Sequence, residues 1–286
     1  ILPFFHSFGF MATMTLPACR GVGVALHPNP LDPAAIGRLC RQFGGSFLLA
    51  TPTFLQNYTR RCDPGDFGSV KYVITGAEKL SERVRTGFKE KFGIEPLEGY
   101  GCTECAPLVS VNGPDFRGRG FHQLGHRHGT IGQASPGIAV RILDPETSEP
   151  LPLGREGMLM VRGPNVMKGY LGKPEETAKV LRDGWYRTGD IAKIDEDGFI
   201  TITDRLNRFS KIAGEMVPHI KIEEALHLAI GAREQVLIVT AVPDEKKGER
   251  LVVGFALETG DGERRAQAKL RRKNLDYIVL NDESAL

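Results

Sequence analysis

The sequence is poor in cysteine and tryptophan, nearly balanced in charge and short of long uninterrupted apolar runs, and each shortage excludes something. Its five cysteines (Cys19, Cys40, Cys62, Cys102 and Cys105) are odd in number and unpatterned. That argues against a disulfide framework and for a reducing, cytoplasmic setting. Lys and Arg number 37 against 35 Asp and Glu, a formal net charge of +2. Such a balance lacks the basic field through which proteins hold nucleic acid, so no nucleic-acid partner is expected. The first 26 residues carry Arg20 as their single formal charge. Pro3, Pro17 and several glycines interrupt this stretch and no basic leader precedes it, so it reads as buried strand and helix rather than as a membrane span or signal. The chain begins without Met, in mid-pattern at Ile1-Leu2-Pro3-Phe4-Phe5-His6, so a preceding segment is expected. No internal repeat or low-complexity tract is present.

What remains is ordinary globular composition, 41% hydrophobic and 25% charged over 286 residues, long enough for more than one folding unit. Residues 32–43 have helical spacing, and Phe47 to Thr51 reads as a short buried strand. A loop and strand follow over Asp66 to Ala77. Ser81 then caps a helix running to about Phe92, with Glu82 in its first turn. Residues 94–100 return to a strand ending in the glycine-rich turn Gly99 to Gly101. Strands alternating with helices predict a mostly parallel sheet, an α/β αβαβα-type large domain over residues 1–128. Ligands of such sheets sit beyond the carboxyl ends of the strands, where Gly76 and Gly99 to Glu104 fall. After Gly129, short strand-like runs (AVRIL, GMLMVRG, FITITDR) are separated by turn signals, predicting a small β-barrel-like subdomain over 129–204. A small α+β C-terminal domain is expected over 205–286, with a helix near 221–229 and strands near 235–242 and 251–257.

Four segments carry candidate chemistry. In Gly99-Tyr100-Gly101-Cys102-Thr103-Glu104, paired glycines let the backbone approach a flat ligand and Tyr100 lie against it. Thr103 offers a hydroxyl to phosphate, and Glu104 a hard carboxylate suited to Mg²⁺. In Gly184-Trp185-Tyr186-Arg187-Thr188-Gly189-Asp190, a carboxylate on a glycine-flanked turn can accept both hydroxyls of a cis-diol. Asp204-Arg205-Leu206-Asn207 ends a strand whose return would bring Arg205 to the edge that carries Asp190. Ser210 to Pro218 places Lys211 beside a tight turn marked by Gly214 and Pro218. Each segment alone is also explained by plain turn or hairpin structure, and Asp195 to Gly198 reads as such a turn. Cys102-x-x-Cys105 has no second pair and overlaps the glycine-rich turn, which sets a zinc or redox site aside. His122, His126 and His128 read as a mobile loop near the site.

Taken together, the segments resemble the adenylate-forming superfamily of acyl-CoA synthetases, luciferases and nonribosomal-peptide adenylation domains. Leu2 to His6, Gly76-Ala77-Glu78, Tyr100 to Glu104, Gly132 to Gly137, Trp185 to Asp190 and Asp204-Arg205 occur in the family's order, over most of residues 1–257. Phe209 to Pro218 resembles the acyl-acyl carrier protein synthetases, often fused to a 2-acylglycerophosphoethanolamine acyltransferase.

The resemblance implies ATP-dependent activation of a carboxylic acid, a long-chain fatty acid in the closest group, to an acyl-adenylate. Transfer would follow to a phosphopantetheine thiol on acyl carrier protein or CoA. It implies Gly76, Ala77, Glu78, Tyr100 and Gly101 around adenine, and Asp190 and Arg205 on the ribose. Thr103 would contact phosphate, Glu104 would ligate Mg²⁺ and His6 would sit by the acyl substrate. The resemblance implies that the C-terminal domain is mobile, and Asn207 falls at its hinge, where the family more often has Asp or Lys. Lys211 matches a lysine of the second half-reaction, and Lys273 stands in for the catalytic lysine outside its usual Gly-Lys context. The phosphate loop ending in Pro-Lys-Gly, which the family carries upstream of His6, is not in this sequence. The same resemblance leaves room for a membrane-associated acyltransferase domain in the parent chain and a position at the inner face of a membrane. Competing readings are an acyl-CoA rather than acyl-carrier-protein synthetase, a luciferase-like monooxygenase and a non-catalytic nucleotide- or acyl-binding module.

Overall fold

The computed structural model describes residues 1–205, 209–212, 215–229, 237–244 and 248–255. Asn207 and Lys273 lie outside the described residues. The chain divides into two compact units, Ile1–Thr203 and Asp204–Leu286.

Local chemistry sets each element of the first unit. Helix α1 (Ser7–Gly9) begins at His6, passes through a π-helical segment (Phe10–Thr15) and continues as α2 (Leu16–Arg20), which Gly21 ends in a left-handed conformation. Helix α3 (Pro33–Phe43) has proline in its first turn and Asp32 as its cap, which accepts from the Ala35 N–H at 3.0 Å. Strand β1 (Phe47–Ala50) leads through the Thr51 cap into α4 (Pro52–Arg61). Strand β2 (Tyr72–Thr75) is followed by α5 (Glu82–Phe92), capped by Ser81 and closed by Gly93 at φ 71°. Strand β3 (Pro96–Gly101) runs parallel to β2, as β2 does to β1. The sheet then reverses: β4 (Leu108–Val111) lies antiparallel to β3. A small hairpin, β5 (Phe116–Gly118) and β6 (Phe121–Gln123), precedes β7 (Gln133–Ala134), which completes the order β1-β2-β3-β4-β7. The sheet, expected to be mostly parallel, is parallel through β1, β2 and β3 and antiparallel beyond, because only a short turn separates β3 from β4 and a parallel return needs a longer crossover.

The second sheet is antiparallel. It contains β8 (Ala139–Leu143), β9 (Gly157–Arg162), β10 (Leu181–Arg182), β11 (Trp185–Ile194) and β12 (Ile200–Arg205), in the order β10-β11-β9-β8 with β12 on β11. Helix α6 (Pro174–Val180) leads into β10, and Asp183-Gly184, both at positive φ, make the two-residue turn to β11. In the second unit, β13 (Phe209–Ile212) and β14 (Glu215–Pro218) form a hairpin at Lys211, followed by α7 (His219–Ala229), β15 (Leu237–Asp244) and β16 (Gly248–Phe255). Among the described residues, no helix is long and apolar enough to cross a membrane.

Two apolar clusters hold the first unit. One joins Ile36, Leu55, Tyr58 and Phe88 of α3–α5 with Leu48, Ala50 and Val73 of the parallel strands and Phe67. The other joins Leu159, Val161, Tyr186, Ala192 and Ile200 of the antiparallel sheet with Cys105 and Val109. Each fully buried large side chain contributes roughly 1.5–3 kcal/mol through transfer from water. The opening stretch differs from its sequence reading. It contains no strand, and Phe5 is 94% exposed with Phe4, Phe10, Met14 and Leu16 also exposed. Its buried residues are Leu2, Gly9 and Ala12, and a Cβ on Gly9 would fall 2.2 Å from the Pro3 carbonyl oxygen.

Candidate functional site

The site is built where the last parallel strand meets the antiparallel sheet, and both contributing strands are bulged there. The β3–β4 register shifts between Tyr100 and Gly101, and the β11–β9 register shifts between Arg187 and Ile191. A bulge turns a side chain out of the alternating pattern, and Gly101 and the left-handed Gly189 (φ 81°) permit it. Gly101 tolerates nothing larger, since a Cβ there would lie 2.2 Å from the Pro107 carbonyl oxygen.

These two bulges bring Tyr100 and Asp190 together: the Tyr100 hydroxyl donates to Asp190 Oδ2. Burial, then the adjacent Asp190, pushes the Tyr100 hydroxyl well above its ordinary pKa, so it stays a proton donor. Asp190 is buried, and its N–H donates to Thr188 Oγ1 at 3.0 Å. Thr188 in turn donates to the Leu159 carbonyl at 2.9 Å, tying the bulge to β9.

Thr103 and Glu104 follow on a single 3₁₀ turn, Thr103–Cys105. The Thr103 hydroxyl lies 3.2 Å from Ser7 Oγ, which brings the start of α1 to this turn. His6 caps that helix, its Nδ1 accepting from the Phe8 N–H at 3.2 Å, and its ring is exposed. Glu104 Oε1 accepts from the Tyr170 hydroxyl at 2.8 Å. Mg²⁺ prefers hard oxygen donors and is commonly bound by one or two carboxylates together with substrate phosphates. The Glu104 carboxylate and Thr103 hydroxyl, side by side on one turn, are a donor set of that chemistry. Among the described residues, no group of three or more His, Cys, Asp or Glu side chains is arranged to hold a metal. Asp115 pairs instead with His122 at 3.3 Å and His126 at 3.4 Å at the β5–β6 hairpin, where the sequence read a mobile loop.

Gly76 is buried at the end of β2, and a Cβ there would meet the Gly99 carbonyl oxygen at 3.1 Å and Phe8 Cε1 at 3.7 Å. This closeness packs β2, β3 and the His6 helix edge to edge. Ala77 follows at φ 71°, a left-handed conformation costing roughly 1–3 kcal/mol in a non-glycine residue. Glu78 is exposed, and its Oε2 accepts from Thr53 Oγ1 at 2.6 Å and Thr53 N–H at 3.2 Å, bracing the start of α4. The first unit thus gathers His6, Gly76, Tyr100, Gly101, Thr103, Glu104 and Asp190. Arg205 ends β12 in the second unit, exposed, and Lys211 lies on β13 of the same unit. Sequence reasoning missed Ser7, Thr188 and Tyr170. Only Thr188 carried a local signal, inside the segment that was singled out.

The two bulged strands, a partly parallel sheet and a hydroxyl–carboxylate turn at its end belong to a mixed α/β fold. A family model described as AMP-binding enzyme matches residues 1–171, and the chain belongs to that family. A second model, DNA/pantothenate metabolism flavoprotein C-terminal domain, matches residues 215–285. The chain is 35% identical over 228 residues to 4-coumarate–CoA ligase-like 4 of Oryza sativa subsp. japonica, covering 79% of this chain and 40% of that protein. It is 33% identical over 271 residues to a long-chain-fatty-acid–CoA ligase of Bacillus subtilis, covering 91% of this chain and 45% of that one. The chain therefore spans less than half the length of these curated relatives. ATP-bound MatB from Rhodopseudomonas palustris superimposes with a TM-score of 0.76 at 29% identity, over 90% of this chain and 49% of that one.

Proposed function

We propose that this chain activates a carboxylic acid by joining it to AMP from ATP, then passes the acyl group to a phosphopantetheine thiol. The observation that carries the reading is the Tyr100–Asp190 hydrogen bond, which unites segments 90 residues apart on the turn that also bears Thr103 and Glu104. In this reading Gly76, Ala77, Glu78, Tyr100 and Gly101 frame adenine, Asp190 and Arg205 take the ribose hydroxyls, and Thr103 takes a phosphate oxygen. Glu104 would hold Mg²⁺, which when bound neutralises charge on the phosphoryl oxygens.

A carboxylate is already a competent nucleophile, so positioning supplies much of the rate. Its oxygen attacks the α-phosphorus of ATP, a new O–P bond forms, and the bond to pyrophosphate breaks. A thiolate sulfur then attacks the acyl carbonyl of the adenylate, forming the thioester and releasing AMP. His6 stands at the acyl side, Asn207 at the hinge and Lys211 in the thioester step, with Lys273 as the candidate lysine for adenylation. Relatives named as CoA ligases support CoA over acyl carrier protein as acceptor, and one of them supports a long-chain fatty acid as substrate.

The test is ATP–pyrophosphate exchange with the full chain against fatty acids of graded length and hydroxycinnamic acids. Exchange that depends on one acid class is expected. AMP binding with no exchange for any acid would make the chain a nucleotide-binding module instead.

A further inference from the structure

Residues 163–173 connect β9 to α6 without regular structure, yet they are tied repeatedly to the turn that carries Glu104. Asn165 Nδ2 donates to the carbonyls of Cys105 at 3.0 Å and Leu108 at 2.9 Å. The Met167 N–H donates to the Glu104 carbonyl at 2.7 Å, and the Tyr170 hydroxyl to Glu104 Oε1 at 2.8 Å. One strap thus fixes both the backbone and the side chain of a single acidic residue.

The strap's far end is itself anchored. The Tyr170 N–H donates to Thr177 Oγ1 at 2.9 Å, and that hydroxyl donates to the Lys173 carbonyl at 2.9 Å. Gly169 takes φ 147°, and a Cβ on it would fall 2.8 Å from Thr177 Cγ2. Tyr170 therefore approaches Glu104 from a backbone with little room to shift.

We propose that Tyr170 is the positioning residue of the Glu104 carboxylate, holding one oxygen so that the other is presented to a divalent cation carried with the nucleotide. The proposal rests on the reading of Glu104 as a cation ligand. A ligating carboxylate that swings freely must be ordered when the ion arrives, and outer-shell hydrogen bonds remove that cost. Their loss typically weakens metal affinity or activity 10- to 100-fold. Tyr170→Phe removes one oxygen and leaves the ring to pack.

The experiment titrates Mn²⁺ into the full chain with ATP, reading bound Mn²⁺ by electron paramagnetic resonance for the parent, Tyr170→Phe and Glu104→Gln. The proposal expects about tenfold weaker Mn²⁺ binding in Tyr170→Phe, with the melting temperature held within a few degrees. It also expects the Mg²⁺ concentration for half-maximal pyrophosphate exchange to rise by about the same factor, while the rate at saturating Mg²⁺ recovers. Thr177→Val, which frees the Tyr170 backbone and keeps its hydroxyl, should weaken Mn²⁺ binding in the same direction and serves if Tyr170→Phe folds poorly. Unchanged Mn²⁺ affinity in Tyr170→Phe, with weakened affinity in Glu104→Gln, overturns the role of Tyr170 alone. Unchanged affinity in both variants overturns the cation role of Glu104 and the proposal with it.

Discussion

The parallel and antiparallel halves of the first unit divide the labour of the site unequally. The parallel half supplies the groups that would touch ligand, because strand ends and the turns after them leave side chains and backbone open. Gly76, Tyr100, Thr103 and Glu104 all sit there. The antiparallel half supplies groups that hold those in place: Asp190 accepts from Tyr100, Thr188 steadies the Asp190 bulge, and Tyr170 donates to Glu104. Asp190 alone belongs to both roles. The difference teaches that, on the proposed reading, the chemistry lies at a seam, so removing a residue from either side should disarm the other.

The largest effect that can sharpen this comparison is on the packing beneath each half. Phe88 is fully buried and stacks near Phe67 and Phe92, with ring centroids 6.0 and 4.6 Å away. Phe88→Ala should cost about 3–5 kcal/mol in urea unfolding, and Leu159→Ala in the other core about 2–5 kcal/mol. If the halves fold as one unit, each variant should shift a single transition; two separated transitions would split them. Next comes Gly101→Ala, where the added methyl group meets the Pro107 carbonyl. Overpacking of this kind costs about 1–3 kcal/mol, and the change should also weaken nucleotide binding by displacing Tyr100 and Thr103.

Alkaline pH probes both halves at once. Burial pushes Cys40 up to about 11 and Cys62 up to about 12 in the parallel core. Burial likewise raises the hydroxyls of Tyr58 in the parallel core, of Tyr100 where the two halves meet and of Tyr186 in the antiparallel core. Each folded pKa lies above its ordinary value, so between the two the unfolded chain binds fewer protons than the folded one. The stabilisation these groups contribute is therefore complete below about pH 9 and is lost as pH rises beyond it, first through the thiols and then through the tyrosines. Urea midpoints from pH 8 to 11 should fall in that order of pH; a rising midpoint would contradict the burial. The smallest effect is local: Ser81→Ala removes the cap of α5 and should cost about 1 kcal/mol without altering nucleotide affinity.

The elements of the parallel half were legible because their signals are local. Ser81 marks a helix start within a turn of the residue it caps, and residues 32–43 carry helical spacing. Helix α4 escaped notice, since Pro52 to Arg61 is rich in Gln, Asn, Thr and Arg and buries only Pro52, Leu55 and Tyr58. In the site, Tyr100, Thr103, Glu104 and Asp190 stood out by residue type and glycine context. Tyr170 did not, because its meaning comes from a partner 66 residues away and not from its neighbours. The opening segment was misread for a related reason. Its apolar residues imply burial, and the structure seats Leu2, Gly9 and Ala12 rather than the phenylalanines.

The account's central claim is that the Tyr100 turn and Asp190 share one nucleotide, and calorimetric titration of AMP into the parent and Asp190→Ala tests it most directly. Hydrogen bonds to a charged group contribute about 1.5–3 kcal/mol, so AMP should bind roughly 10- to 100-fold more weakly to the variant at an unchanged fold. Equal affinity in the two proteins would contradict the claim.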